Sequence, residues 1–166
     1  MPPPSSSPSP PSSSSPSQAP PKPAKPSPSR ILVAVDGSAC AKKALDAALE
    51  MAREMGATVY ILMVVEKLPL VAARRDMMAS VEALMEKDAR VLLADYATLA
   101  ERRGVKAETI VAKGHPANII LYTAKAKGAD MIVVGRRGLG GFRGLLMGSV
   151  SSAVLQNSKV PVLVIK

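Results

Sequence analysis

Six glycines fall between residues 135 and 148 in the stretch GRRGLGGFRGLLMGS, which closes on Ser149. Glycines let successive main-chain N–H groups converge on an anion, and a helix opening at Ser149 would add free donors and a favourable dipole. The Ser149 hydroxyl suits a phosphate oxygen, and Arg136, Arg137 and Arg143 bring positive charge beside it. Phosphate cradling is the chemistry this pattern favours. A Walker A loop is excluded because Gly148-Ser149-Val150 has no lysine before the serine, and a dinucleotide fingerprint starting at Gly138 fails because Arg143 stands where glycine is required. A second motif, Asp36-Gly37-Ser38, joins a carboxylate able to accept a ribose hydroxyl to a glycine that can turn the chain closely beneath a ligand. The same residues equally describe a helix cap made by Asp36 or Ser38.

Both motifs need elements to aim them, and the rest of the chain supplies these in alternation. Apolar, β-rich runs predict strands at 31–35, 58–65, 105–112, 131–134 and 160–165. Four are nearly unbroken, as expected of parallel strands covered on both faces. The third alternates polar and apolar residues, and the fifth starts beside Pro161, so both read as edges. Helices are predicted from Ala39 to Met55, stopped by Gly56; from Arg74 to Arg103, stopped by Gly104; from Pro116 to Gly128; and from Ser149 to near Asn157. The apolar stripe of the first helix is Ala41, Leu45, Ala48, Ala52 and Met55; that of the second is Val81, Met85, Leu92, Tyr96 and Leu99. The fold class is α/β: a doubly wound, five-stranded parallel sheet of order 3-2-1-4-5 with helices on both faces. Its ligand crevice falls where the winding reverses, between strands one and four. Both motifs start there.

Composition narrows the options. Residues 1–30 are almost wholly Pro and Ser, with Lys22, Lys25 and Arg30 as their charges, so 1–29 are expected to form a disordered, partly polyproline-II tail ahead of a domain at 30–166. The tail has neither the apolar core of a secretory signal nor the arginines of a transit peptide, and later apolar runs are strand-sized. The expectation is a cytoplasmic protein without membrane insertion. One cysteine, Cys40, and one histidine, His115, permit neither an internal disulfide nor a four-ligand zinc site. His115 is expected to serve the turn and cap before Pro116, and Cys40 to be a small, unreactive residue of the first helix. The net charge of +9 with no Trp and one Phe leaves no stacking platform for single strands, so nucleic acid is not an expected partner.

The spacing Gly135-x2-Gly138-x9-Gly148-Ser149 resembles that of the ATP-binding members of the universal stress protein family. The resemblance runs from Ile31 to Lys166 and includes Val-Asp-Gly-Ser after strand one, Leu-Met-Val-Val closing strand two, Gly114-His115-Pro116, and Pro161-Val-Leu-Val-Ile. It implies a Rossmann-like sheet of the adenine nucleotide alpha hydrolase kind. It also implies that Asp36 contacts the ribose and that main-chain groups of Ala34 and Val64 hold the adenine. Gly135, Gly138, Gly148 and Ser149, with the Val150 N–H, would hold the triphosphate, and Arg136, Arg137 and Ser151 complete the candidate contacts. Mg²⁺ or Mn²⁺ would ride on the ATP phosphates, in keeping with a loop that has no carboxylate cluster. The family commonly forms a homodimer through its last strand. The function implied is a nucleotide-dependent regulator in stress response. No residue stands out as a catalytic base, so hydrolysis, if any, is expected to be slow. A slow ATP hydrolase and a nucleotide-independent interaction module remain as alternatives.

Overall fold

The computed structural model describes residues 28–66, 75–139 and 147–166. Gly140, Gly141, Arg143 and Gly144 of the glycine-rich stretch lie outside the described residues, as do residues 1–27 of the tail. The elements follow as β1 (Arg30–Val35), α1 (Ala39–Met55), β2 (Thr58–Val65), α2 (Arg75–Arg102), β3 (Ala107–Lys113), α3 (Pro116–Lys127), β4 (Met131–Gly135), α4 (Ser149–Asn157) and β5 (Val162–Ile165). The strands form one parallel sheet in the order β3-β2-β1-β4-β5.

Strand alternation divides the core in two. Ile31, Val33, Val59, Ile61 and Val133 point to the face covered by α1 and α2, packing with Leu45, Leu49 and Leu93. Leu32, Leu62, Ile132 and Val134 point to the other face, where Ile120 and Ala124 of α3 and Val154 of α4 cover them. Consecutive residues of β1 are thus buried on opposite sides, which explains its unbroken apolar run. α1 ends as its sequence promises, with Gly56 at φ 66° and its N–H on the Ala52 carbonyl.

Several boundaries differ from the sequence expectation, each for a local reason. Val105 lies outside β3 because its N–H closes the end of α2 on the Ala100 carbonyl. β5 starts at Val162 rather than Val160, since Ser158 bonds both the N–H and the carbonyl of Val160 in a turn. His115 occupies the N-cap position of α3, but its side chain makes no capping bond; its carbonyl accepts the Ile119 N–H instead. Met55, Val81 and Met85, expected on buried stripes, are about two-fifths exposed. α2 explains the last two: its 28 residues run to about 42 Å, whereas the seven of β3 span about 23 Å, so its first turns overhang the sheet.

The start of the domain is tied down by one carboxylate. Asp130 Oδ2 accepts the N–H and hydroxyl of Ser29 and the N–H of Arg30 at 2.9–3.0 Å, while the Ser29 carbonyl accepts the Thr58 N–H. Ser29, assigned to the tail from sequence, is therefore bonded to the domain. Burial alone would raise the Asp130 carboxyl, but these bonds and the Arg30 charge outweigh it and hold its pKa below the ordinary value.

Candidate functional site

β1 and β4 are neighbours in register from Ile31↔Met131 to Ala34↔Val134. The helix after β1 packs on one face of the sheet and the helix after β4 on the other. The two loops therefore part at the carboxyl ends of these strands and open a crevice between them.

The first loop is closed largely on itself. Asp36 Oδ1 accepts the Ser38 N–H at 2.9 Å across Gly37, whose φ of 83° favours glycine. Ser38 is the N-cap of α1, its hydroxyl accepting the Ala41 N–H at 3.1 Å. So the capping reading holds for Ser38, while Asp36 braces the turn. α2 lies against this loop: a Cβ at Gly37 would meet Leu92 Cδ2 at 3.5 Å. The Tyr96 hydroxyl has a raised pKa, first from burial and then from the charges of Asp36, Asp46 and Asp95.

The second loop is held by groups outside it. The Arg136 N–H bonds the Ile165 carbonyl at 2.6 Å, and the Arg136 carbonyl accepts the Gly148 N–H at 2.8 Å and the Ser151 hydroxyl at 2.9 Å. The Arg137 carbonyl accepts the Ser38 hydroxyl at 3.4 Å. The Leu139 N–H reaches across the crevice to Asp36 Oδ2 at 3.0 Å. These bonds bring the two ends of the glycine-rich stretch, at Arg136 and Gly148, together.

The glycines of this spacing do not serve through unusual backbone angles. Gly135, Gly138 and Gly148 are absent from the positive-φ positions. What each provides is a missing side chain. A Cβ at Gly135 would come within 2.8–2.9 Å of the main chain of Cys40 and Ala41, so glycine lets α1 lie directly against the end of β4. A Cβ at Gly138 would overlap Asp36 Oδ2, and one at Gly148 would press on the Arg136 carbonyl at 3.3 Å.

α4 opens at this point. Gly148 is its N-cap, without a side-chain capping bond, and the first bond of the helix runs from the Ser152 N–H to the Gly148 carbonyl. The N–H groups of Ser149, Val150 and Ser151 thus precede the helical ladder and have no main-chain partner among the described residues, the arrangement that favours an anion. Ser149 is exposed, whereas Ser151 is buried with its hydroxyl on the Arg136 and Gly148 carbonyls. Arg136 Nε and Arg137 Nε are buried and have no hydrogen-bond partner among the described residues.

Ala34 and Val64 lie near the carboxyl ends of β1 and β2, partly buried on the α3–α4 face. Ala34 is flanked in register by Leu62 and Val134, so sheet pairing occupies its main chain and its methyl group is what remains for a ligand. Val64 is different. Thr58 directs its N–H to Ser29 on the β1 side, and the alternation of a parallel ladder sends the Val64 carbonyl the same way, where β1 pairing has ended at Val35↔Met63. Among the described residues, no group of three His, Cys, Asp or Glu side chains could hold a metal ion.

Leu139 and Ile165 take part in this site without having been singled out from sequence. Both act through main-chain groups that any residue supplies, so residue type carried no signal.

A five-stranded parallel sheet wound in both directions from β1, with two loops parting at its switch point, defines the class of doubly wound α/β folds. Residues 28–166 match the universal stress protein family, and the chain belongs to that family of stress-response proteins. It is 38% identical over 146 residues to the universal stress protein YxiE of Bacillus subtilis, covering 83% of this chain and 99% of the relative. It is similar in structure to the universal stress protein UspA from Lactobacillus plantarum, with a TM-score of 0.78, 24% identity and coverage of 83% and 97% of the two chains. It is also similar to a universal stress protein from Archaeoglobus fulgidus in complex with dAMP, with a TM-score of 0.60, 26% identity and coverage of 82% and 97%.

Proposed function

We propose that this protein binds an adenine nucleotide, ATP by the sequence reading, between β1 and β4, and that occupancy regulates its action in stress response. The observation that carries this reading is the pair of buried Arg136 and Arg137 Nε groups, without a hydrogen-bond partner among the described residues, on a loop whose main chain packs against the start of α4, where the N–H groups of Ser149, Val150 and Ser151 precede the helical ladder. Such a site has surplus donors and positive charge, and a polyphosphate satisfies both. The dAMP complex of the Archaeoglobus fulgidus relative supports adenine as the base. In this reading Ser149, Val150 and Ser151 offer N–H groups to phosphate, Ser149 adds its hydroxyl, and Gly135, Gly138 and Gly148 shape the loop. Asp36 faces the ribose, the Val64 carbonyl faces the base, and the Ala34 methyl packs beneath it. Mg²⁺ or Mn²⁺ would be carried by the phosphates.

Homodimerisation is part of the proposal. Pro161 and Ile165 direct their carbonyls to β4, which leaves the main-chain groups of Val162 and Val164 facing outward. By contrast, the β3 edge is guarded by charge, with Lys113 paired to Glu82 and Glu86 and Glu108 paired to Lys127. A cytoplasmic site of action fits a protein in which no helix among the described residues is long and apolar enough to cross a membrane. The test is mass spectrometry of ligand released from freshly purified protein, joined to calorimetric titration with ATP, ADP and AMP. The expected result is a bound adenine nucleotide with saturable, one-to-one rebinding; protein that carries none and takes up none removes the proposal.

A further inference from the structure

The Asp36 carboxylate spans both loops of the crevice. Its Oδ1 accepts the Ser38 N–H of its own turn, and its Oδ2 accepts the Leu139 N–H of the opposite loop. Gly138 stands immediately before Leu139, and a Cβ added there would come within 2.4 Å of Oδ2. A side chain at 138 would therefore expel the carboxylate from Leu139. No left-handed backbone angle requires glycine there.

We infer that Asp36 is a positioning residue for the phosphate loop, and that residue 138 is glycine to admit its carboxylate rather than to let a phosphate approach. The second half of the Asp-Gly-Ser motif reinforces the clamp, since the Ser38 hydroxyl reaches the Arg137 carbonyl two residues upstream of Leu139. Asp36 and Ser38 together hold residues 137–139 against the end of β1. This fixes the main chain that carries Arg136 and Arg137 at the mouth of the crevice. A bound ribose hydroxyl would then share or displace the Leu139 contact, so the group that aligns the loop would also be the one that senses the sugar. The inference rests on the reading of the crevice as a nucleotide site for its last step only; the clamp itself consists of the hydrogen bonds made by Asp36 and Ser38.

The two parts are tested separately. In nucleotide-free, full-length protein, amide exchange followed by NMR is expected to quicken at Leu139 by about tenfold in Asp36→Ala, the scale of losing one charge-assisted bond. Exchange at Val59 and Ile61 in the core reports whether the variant is folded. Gly138→Ala, with Asp36 still present, is expected to release the same amide, and to add nothing once Asp36 is already Ala. Unchanged Leu139 exchange in both variants overturns the clamp. Inorganic tripolyphosphate, which has no ribose, is the second probe. If Asp36 positions the loop, Asp36→Ala weakens tripolyphosphate and ATP by similar factors, about tenfold each; if it serves the ribose alone, tripolyphosphate affinity stays at the wild-type level and the positioning role is overturned. Wild-type protein that binds neither probe refutes the nucleotide reading, while the exchange experiment still decides the clamp.

Discussion

The two loops that meet at the switch point are built on opposite plans. The Asp36–Ser38 loop is short, braced by its own side chains and fused to the first turn of α1. The stretch from Gly135 to Ser149 is long, and its described ends are held from elsewhere, by Ile165, Ser38, Asp36 and Ser151. One loop is scaffold and the other is what the scaffold holds. The described glycines of the held stretch, Gly135, Gly138 and Gly148, do not rely on unusual backbone angles; they mark where neighbouring atoms already fill the place of a side chain.

The largest expected effect comes from violating that packing. Gly135→Ala drives a Cβ into the main chain of Cys40 and Ala41, which cannot turn aside as a side chain would, so a loss of about 1–3 kcal/mol is expected in urea unfolding. A neutral outcome would mean that α1 and β4 are not held as close as described. Ser38→Ala comes next, removing the α1 cap and the contact with Arg137; about 1–2 kcal/mol is expected, measured the same way. If the cost of Ser38→Ala vanishes, the first loop is not the scaffold.

Ser151→Ala sharpens the comparison from the other side. It deletes a buried hydroxyl that ties Arg136 to Gly148, with an expected loss of about 1 kcal/mol. Because Ser151 joins the two ends of the held loop, nucleotide affinity should fall as well, whereas Ser149→Ala, at an exposed hydroxyl, should lower affinity with little change in unfolding midpoint. Equal effects on stability from the two serines would erase the distinction between holding the loop and serving the ligand.

The smallest effect lies at the far end of the sheet, where Asp130 fastens Ser29 and Arg30. A carboxylate with a lowered folded-state pKa contributes stability that is present above its unfolded value and lost as pH falls through the folded one. Asp130→Asn should therefore destabilise slightly at neutral pH, and the gap between variant and wild type should close in acid, below the ordinary value of 3.8. Thermal unfolding from pH 7 to pH 2 follows both curves; a gap that persists in acid would show that the carboxylate charge is not what holds this end.

Much of the fold was legible because periodicity and burial agree. β1, β2 and β4 bury residues on both faces and read as apolar runs, and Gly56, Gly104 and Gly128 stop their helices where expected. The edges were legible too, β3 through its alternation and β5 through Pro161. What escaped was set by tertiary reach. Val81 and Met85 continue a helical stripe that has no strand beneath it, so pattern alone placed them in a core that ends one or two turns later. Val105 is apolar and buried yet serves the end of α2, because its N–H was needed there. In the crevice, Asp36, Ser38 and the glycine spacing stood out from sequence, but the bond between Asp36 and Leu139 did not, since it couples residues 103 positions apart through a main-chain donor.

Titrating ATP into isotopically labelled full-length protein and following amide shifts decides whether an adenine nucleotide binds where the two loops meet. Saturable changes are expected, concentrated at Asp36–Ser38, Val64, Arg136–Leu139 and Ser149–Ser151. Shifts clustered elsewhere, such as the groove between Arg53 and Arg103 on the outer side of α1, or no shifts at millimolar ATP, would contradict binding there.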